Sequence, residues 1–350
     1  MNNNSVVNNK RKLATIRIVD DIQPIPKADR LEVAMFGGWK VVVQKGEFKP
    51  GDLAIYIEID SWIPHKLAPF LDRGTGPTEY GDISGYRLRT IRLRGQISQG
   101  LALPINILPT PSVVVGDNVT EYLGIIKWEP PLKFGMDGMA KGSMPHFIQK
   151  TDLERIQNIP DILKELHPYE IQWKADGTSC TVYVDQKTSG ICSRTVEWKL
   201  DPSNKSNLYT QIAVKSKLLS ALQIYHEQTG ENIAVQGEIV GPGIQKNRGK
   251  YATTRFLAFD IWDIDRQCYL PSREREPILD KIQKLGWDGY RVEDFSEETN
   301  PTQFTSIDQF LTVCDELCRK HQPPAEGLVF KSLDGQYRFK AISNNYLLKE

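Results

Sequence analysis

Short runs of alternating apolar and polar residues dominate the first hundred positions. Residues 14–19 alternate, residues 39–43 follow a Gly37-Gly38 turn, and residues 53–59 follow the turn Lys49-Pro50-Gly51-Asp52. A further run over residues 86–93 is ended by Gly95. A period of two turns one face of each run toward a core. Several such strands, with no long helical period among them, predict a small antiparallel barrel.

A stretch without period follows, from Glu129-Pro130-Pro131 through Gly135, Gly138 and Gly142 to Pro145, and its composition is that of an interdomain linker. Thr151-Asp152-Leu153-Glu154 has capping-box form and predicts the start of a helix, although Pro160 makes two short helices as admissible as one. The longest helical period covers residues 208–228. Leu208, Ile212, Leu219 and Leu222 fall near one face there, with Gly230 as the stop. Strands are predicted over residues 171–174, 180–184, 234–240, 256–262, 327–331 and 337–340. Strands interrupted irregularly by helices imply an α+β domain with antiparallel sheets.

Composition narrows the picture. A length of 350 residues exceeds one ordinary core, so two domains are expected. The expected divisions are a disordered tail over 1–12, a barrel over 13–128, a linker over 129–146 and a second domain over 147–350. Lys+Arg and Asp+Glu both number 44, so the formal net charge is zero and bulk attraction to phosphate backbones is excluded. Any nucleic-acid affinity must come from a local basic surface. Cys180, Cys192, Cys268, Cys314 and Cys318 form no CxxC pair and no Cys/His zinc pattern, which predicts free thiols in the cytoplasm or nucleus. No secretory signal or long apolar span is visible, so no membrane is expected as a partner.

The candidate chemistry starts at Lys174-Ala175-Asp176-Gly177, between two strand candidates. A lysine at a sheet edge is partly desolvated, which lowers its pKa and frees the amine as a nucleophile. An aspartate two residues on can help hold a divalent metal over the same phosphate. Alone, the tetrapeptide fits a surface hairpin equally well. Further segments follow it in order: Ser193-Arg194-Thr195, Gln236-Gly237-Glu238-Ile239-Val240, Phe259-Asp260-Ile261-Trp262, Glu326-Gly327-Leu328-Val329-Phe330-Lys331 and Arg338-Phe339-Lys340. Together they resemble the covalent nucleotidyltransferase superfamily of polynucleotide ligases and mRNA capping enzymes, from about Thr151 to the end of the sequence.

The resemblance implies a lysyl-AMP intermediate on Lys174, formed from ATP. Arg194 would touch the ribose or phosphate, Glu238 the ribose hydroxyls or the metal shell, and Phe259 would stack on adenine. Asp176, Glu238, Asp260 and Glu326 would supply carboxylates around Mg²⁺ or Mn²⁺, and Lys331 and Lys340 would face the phosphates. Many relatives carry Lys-x-Lys in the terminal strand, whereas this chain has Arg338 and Lys340, so Lys340 is the stronger candidate. Lysine must lose its proton to act, and a neighbouring metal and cations are expected to lower its pKa. Each residue also has a bland role: Phe259 as core, Glu238 and Glu326 as solvated charges, Gly237 and Gly327 as bulge or close-approach positions.

The barrel precedes the KxDG segment, unlike the order in capping enzymes and most DNA ligases. Gly38-Trp39-Lys40-Val41-Val42-Val43, Arg94-Gly95-Gln96-Ile97-Ser98-Gln99-Gly100-Leu101 and Phe339-Lys340-Ala341-Ile342-Ser343-Asn344 look like RNA ligase family five, whose members place an OB module first. That resemblance implies an OB-type barrel ahead of an α+β nucleotidyltransferase domain that joins RNA 3′-hydroxyl and 5′-phosphate ends; separately, a monomer is expected. The rivals are a DNA ligase, a capping guanylyltransferase, or a non-catalytic RNA-binding protein. Arg87 with Arg89, and Arg92 with Arg94, are two apart and would share a strand face, either as a phosphate-binding surface or as a solvated edge.

Overall fold

The alternation at the start of the chain becomes the strand Ala14–Ile18, whose Ala14 and Ile16 are fully buried, in a computed structural model. The structure describes residues 12–72, 74–109, 112–129, 139–201, 207–295, 299–335 and 337–349. Of the tail expected over 1–12, all but Lys12 lies outside the described residues. The chain divides into two units, Met1–Pro131 and Leu132–Lys349.

In the first unit Leu53–Ile57 lies between Ala14–Ile18 and Leu101–Pro104, antiparallel to both. Asp21–Pro24, Leu31–Phe36 and Trp39–Gln44 form an antiparallel meander. Ser61–Pro64 sits in a third sheet, with Ile126–Lys127 on one side and Ile83–Arg87 on the other. Ile16, Ile55, Ile57, Ile63 and Leu103 fill one core. Buried Trp39 packs its ring 5.8 Å from Tyr56.

The run predicted as one strand over 86–93 is two, Ile83–Arg87 and Ile91–Leu93. The second turns back to Gln96–Ser98 through Arg94 and Gly95, both at positive φ, as a two-residue hairpin requires. Arg87 and Arg89 consequently share no strand face. Arg87 donates to Asp60 at 2.7 Å and lies 3.6 Å over the Trp128 ring, whereas Arg89, Arg92 and Arg94 are exposed.

Two sheets organise the second unit. The larger runs in the spatial order Ala140–Ser143, Val196–Trp198, Ser189–Cys192, Thr178–Val184, Ile233–Val240, Arg255–Asp263, Cys268–Tyr269. Leu208–Lys215, Leu218–Thr229 and Ser272–Lys284 cover it with helices whose Leu222, Ile212 and Leu279 enter its core. The smaller sheet runs Glu154–Arg155, Arg338–Ile342, Gly327–Ser332, Tyr169–Trp173, and the helix Ile307–Lys320 packs Phe310, Leu311 and Cys314 onto it.

Three expectations need correction. Part of the supposed linker is an edge strand, Ala140–Ser143, beside buried Met139, while residues 130–138 lie outside the described residues. The capping box opens no α-helix. Glu154–Arg155 instead pairs in parallel with Phe339 and Lys340, and Glu154 accepts from the Arg155 backbone at 2.9 Å. Two short 3₁₀ turns follow, Ile156–Asn158 and Pro160–Lys164. The long helical period breaks in the middle, because Ser216 donates its hydroxyl to the Ile212 carbonyl at 2.7 Å and Lys217 takes φ 56°. Gly230, at φ 74°, ends the second piece as expected.

A buried ion cluster ties the two sheets together. Asp260 of the larger sheet accepts from Lys331 at 2.9 Å and from Arg338, both of the smaller sheet, and Arg275 of the helix Ser272–Lys284 lies at 3.7 Å. Arg275 also donates to Glu170 at 2.6 Å. Burial alone would raise the Asp260 carboxyl, but Lys331, Arg338 and Arg275 together hold it below its ordinary value. Breaking a buried pair leaves the remaining charges uncompensated. Asp260→Ala should therefore cost about 3–5 kcal/mol in denaturant unfolding, and a change within experimental error would show the cluster to be solvated.

Candidate active site

The chain passes from the smaller sheet to the larger one at residues 174–177. Tyr169–Trp173 enters the turn and Thr178–Val184 leaves it. The Lys174 backbone N–H donates to the Gly327 carbonyl at 2.9 Å, which fixes the lysine to the start of the strand Gly327–Ser332. Gly177 has to be glycine, because a Cβ there would stand 2.2 Å from the Ile239 carbonyl oxygen and 2.8 Å from the Glu238 side chain. The register Thr178↔Ile239 brings Glu238 to the turn. A β-bulge between Gln236 and Gly237 displaces that strand locally.

Lys174 Nζ donates to Glu326 Oε2 at 2.8 Å. Burial alone would lower the pKa of this lysine, but Glu326, Glu238 and Asp176 together hold it above its ordinary value. The carboxylates show the same tension from the other side. Burial pushes the Glu238 carboxyl up, Lys174 opposes this, and Glu326 and Asp176 add to it, so that it titrates at about 8. Glu326 is likewise raised, first by burial, with Lys174 and Lys340 opposing. The sequence led us to expect a lysine pKa lowered by cations. The protein's own residues do the reverse, because carboxylates outnumber cations around Nζ.

The remaining candidates fall into two sets. Lys174, Asp176, Glu238 and Glu326 lie together, and Lys340 acts on Glu326 from the terminal strand. Half-buried Phe259 packs with Ala175, Tyr251 and Val240 in a small apolar cluster beside the lysine turn, outside the main core. Asp260 belongs elsewhere: its carboxylate is taken up by Lys331, Arg338 and Arg275, which removes the physical basis for expecting it among the metal ligands. Lys331 is buried with it, donates to the Phe259 carbonyl at 2.7 Å, and is lowered to about 8 by burial. Arg338 joins that cluster and stacks 3.8 Å from Tyr269. Arg194 donates to Asp152 at 2.7 Å.

Some contributors carried no motif. Arg275 sits in a helix that reads as a solvated surface helix, and only its burial reveals it. Tyr346 follows the terminal strand, and its phenol is raised by burial and by Glu326 and Asp176, its hydroxyl bonding to Asp176. Ser343 links the same turn to the site by donating its backbone N–H to the Glu326 carbonyl at 2.9 Å.

Known proteins share both units. An OB-fold domain family matches residues 13–105, and the RNA ligase family matches residues 167–342. Among solved structures, Naegleria gruberi RNA ligase with PPi is 39% identical with a TM-score of 0.87, covering 97% of this chain and 99% of that one. A mutant of the same ligase with AMP and Mn is 39% identical with TM-score 0.87, and a second one is 40% identical with TM-score 0.86, each over 97% of this chain and 99% of that one. No curated protein matches the chain. The class is thus that of nucleotidyltransferases with an OB-fold module at the N-terminal side. The chain belongs to the RNA ligase family, and it is an enzyme that joins RNA.

The Glu238 environment predicts a pH signature. A carboxyl raised to about 8 keeps a proton in the folded state that the unfolded chain, with its ordinary lower pKa, releases earlier. Its contribution to stability is present at acid pH and is lost as pH rises toward 8. Glu238→Gln carries no such proton, so its stability relative to wild type should improve steadily from pH 5 to pH 8 in urea unfolding. A constant difference across that range would remove the assigned charge state.

Proposed function

We propose that this chain seals RNA ends with ATP through a lysyl-AMP intermediate on Lys174. The observation that carries this reading is one half-buried amine, 2.8 Å from Glu326, on a turn that Gly177 presses against the strand bearing Glu238. Before it reacts, Lys174 must give up a proton, and Glu326 Oε2 is the acceptor in reach. The amine then attacks the α-phosphorus of ATP. The N–P bond forms as the bond to pyrophosphate breaks. The 5′-phosphate of an RNA end next displaces the lysine and takes the AMP. A 3′-hydroxyl finally attacks that activated 5′-phosphate, and AMP departs.

Each remaining side chain has a place in this scheme. Phe259 offers a half-buried ring beside Ala175 for adenine, since stacking on a planar face needs no particular sequence. Lys340 and Arg194 would meet phosphate oxygens, Arg194 by exchanging Asp152 for the nucleotide. Lys331, with its ammonium 5.9 Å from the Phe259 ring, keeps positive charge behind the base. Asp260 acts here through Lys331, as the carboxylate that holds it.

The acidic residues fit a hard divalent cation such as Mg²⁺ or Mn²⁺. Asp176 Oδ2 is buried without a hydrogen-bond partner, and Glu238 and Glu326 are raised first by burial and further by neighbouring carboxylates. No group of three or more ligating side chains is assembled beforehand among the described residues. Such an ion in phosphoryl chemistry needs only one or two carboxylates, with phosphate oxygens completing its shell. Glu238, Glu326 and Asp176 are the residues that would hold it, and it would supply charge neutralisation at the phosphates.

The reading also places the enzyme, as a monomer, in a reducing intracellular compartment, in keeping with its five free thiols. No helix among the described residues is long and apolar enough to cross a membrane.

Intact-protein mass after incubation with ATP and Mn²⁺ tests the proposal. Wild type should gain one AMP, while Lys174→Ala, a GTP incubation and a chelator-treated sample should gain none. Folded wild-type protein that is free of AMP as purified and takes up none would end this reading.

A further inference from the structure

The chain has zero net charge, so whatever holds an RNA strand must be a local concentration of cations. One such concentration borders the lysine turn. Residues 241–255 contain Lys246, Arg248, Lys250 and Arg255 and no acidic residue. The segment is a built loop. Gln245, Asn247 and Lys250 all take left-handed backbone angles, with φ of 46°, 44° and 52°. A non-glycine residue is strained in that region and stays there only when its surroundings enforce it. Asn247 supplies part of that enforcement, since its side chain donates to the Tyr251 carbonyl at 3.0 Å and accepts from the Tyr251 N–H at 3.1 Å.

The loop is anchored at both edges. Gln245 donates to the Gly177 carbonyl at 3.2 Å, which joins it to the lysine turn itself. Arg248 lies 4.1 Å over the Tyr346 ring and donates to the Lys349 carbonyl at 3.0 Å. Tyr251 then enters the apolar cluster that holds Phe259 and Ala175. Beyond it, Arg255 lies 4.5 Å over Tyr290, whose ring is 47% exposed. Lys246 and Lys250 are exposed along the same segment. Positive charge interleaved with accessible aromatic rings is the chemistry that binds a single-stranded polynucleotide, cations on the phosphates and rings under the bases.

We propose that residues 241–255, with Tyr290, form the surface that grips the RNA strand next to the adenylylated end, with Lys250 and Arg255 on its phosphates. The proposal rests on the ligase reading for its substrate, and it adds where that substrate lies. Lys250 and Arg255 lie outside the group formed by Lys174, Asp176, Glu238 and Glu326. The surface therefore serves the RNA-dependent steps and leaves the first step untouched.

The test is the double variant Lys250→Glu/Arg255→Glu in the full chain, with Lys250→Gln and Arg255→Gln as milder versions. Lysyl-AMP formation is read by mass without RNA. Affinity for a short 5′-phosphate RNA labelled at its 3′ end is read by fluorescence anisotropy over a salt series. The expected result is unchanged lysyl-AMP formation with RNA affinity down about tenfold or more at low salt. The dependence of log affinity on log salt should flatten by about 1.4, at about 0.7 for each single-strand phosphate that is no longer neutralised. The milder variants should fall between wild type and the double. Unchanged RNA affinity, or an equal drop in lysyl-AMP formation, would overturn the assignment. Wild type that binds RNA but never forms lysyl-AMP would sink the ligase reading alone, and the binding series would still decide on the surface.

Discussion

Asp260 gives up its hydration in the interior of the second unit, and an ionised carboxylate taken out of water costs several kcal/mol. Three cations from two other elements offset that cost: Lys331 and Arg338 from the smaller sheet, Arg275 from a helix. The cluster is satisfied only when all these elements are in place together. That requirement fixes how the two sheets face each other, and the turn over residues 174–177 is where the chain crosses between them. At that crossing Gly177 leaves no room for even one added carbon. The position of Lys174 is thus a product of charge satisfaction on one side and steric closure on the other.

Around Lys174 charge is arranged differently. The Asp260 cluster has enough cations for its carboxylates, whereas the Lys174 group has one lysine facing Glu326, Glu238 and Asp176. The surplus negative charge holds the amine protonated at rest against the effect of burial, while burial first, and the neighbouring carboxylates after it, hold the Glu238 carboxyl up. A lysine so held is a poor nucleophile toward stray electrophiles. Chemistry that neutralises the carboxylates also releases the amine, so activation and substrate arrival become one event.

Much of this was legible in the sequence. The period-two runs located the strands of the first unit, and the ordered segments around Lys174, Glu238 and Glu326 pointed to residues that the fold brings together. What escaped has physical reasons. The helix over 208–228 was broken by a serine hydroxyl competing for a helical carbonyl, a local contest that apolar periodicity does not register. Glu154 and Arg155 were drawn into a parallel pairing with Phe339 and Lys340, and tertiary pairing overrode a good capping sequence. Asp260 was placed beside the metal because its motif neighbours suggested it. Its partners are Lys331 and Arg338 of the smaller sheet together with Arg275, and Arg275 lies on an element whose sequence looks like ordinary surface. Arg87 and Arg89 were treated as one face because nothing in their spacing announces that the strand stops between them.

The smaller sheet has a consequence for how the protein is made. Its strands come from residues 154–173 and 327–342, so every pairing between the two groups closes a loop of more than 150 residues. Non-local pairing of this kind is slow, because the loop must be closed before any contact rewards it. On the ribosome, Tyr169–Trp173 can bond residues 293–295 first but has no partner strand in its sheet until Gly327–Ser332 has emerged, and the Lys174 N–H lacks its acceptor until Gly327 arrives. The larger sheet suffers no such delay, since its central strands pair with near neighbours in the chain. Lys174 is thus synthesised midway but seated among the last, and a chain cut short before residue 327 carries that lysine without the strand that anchors it.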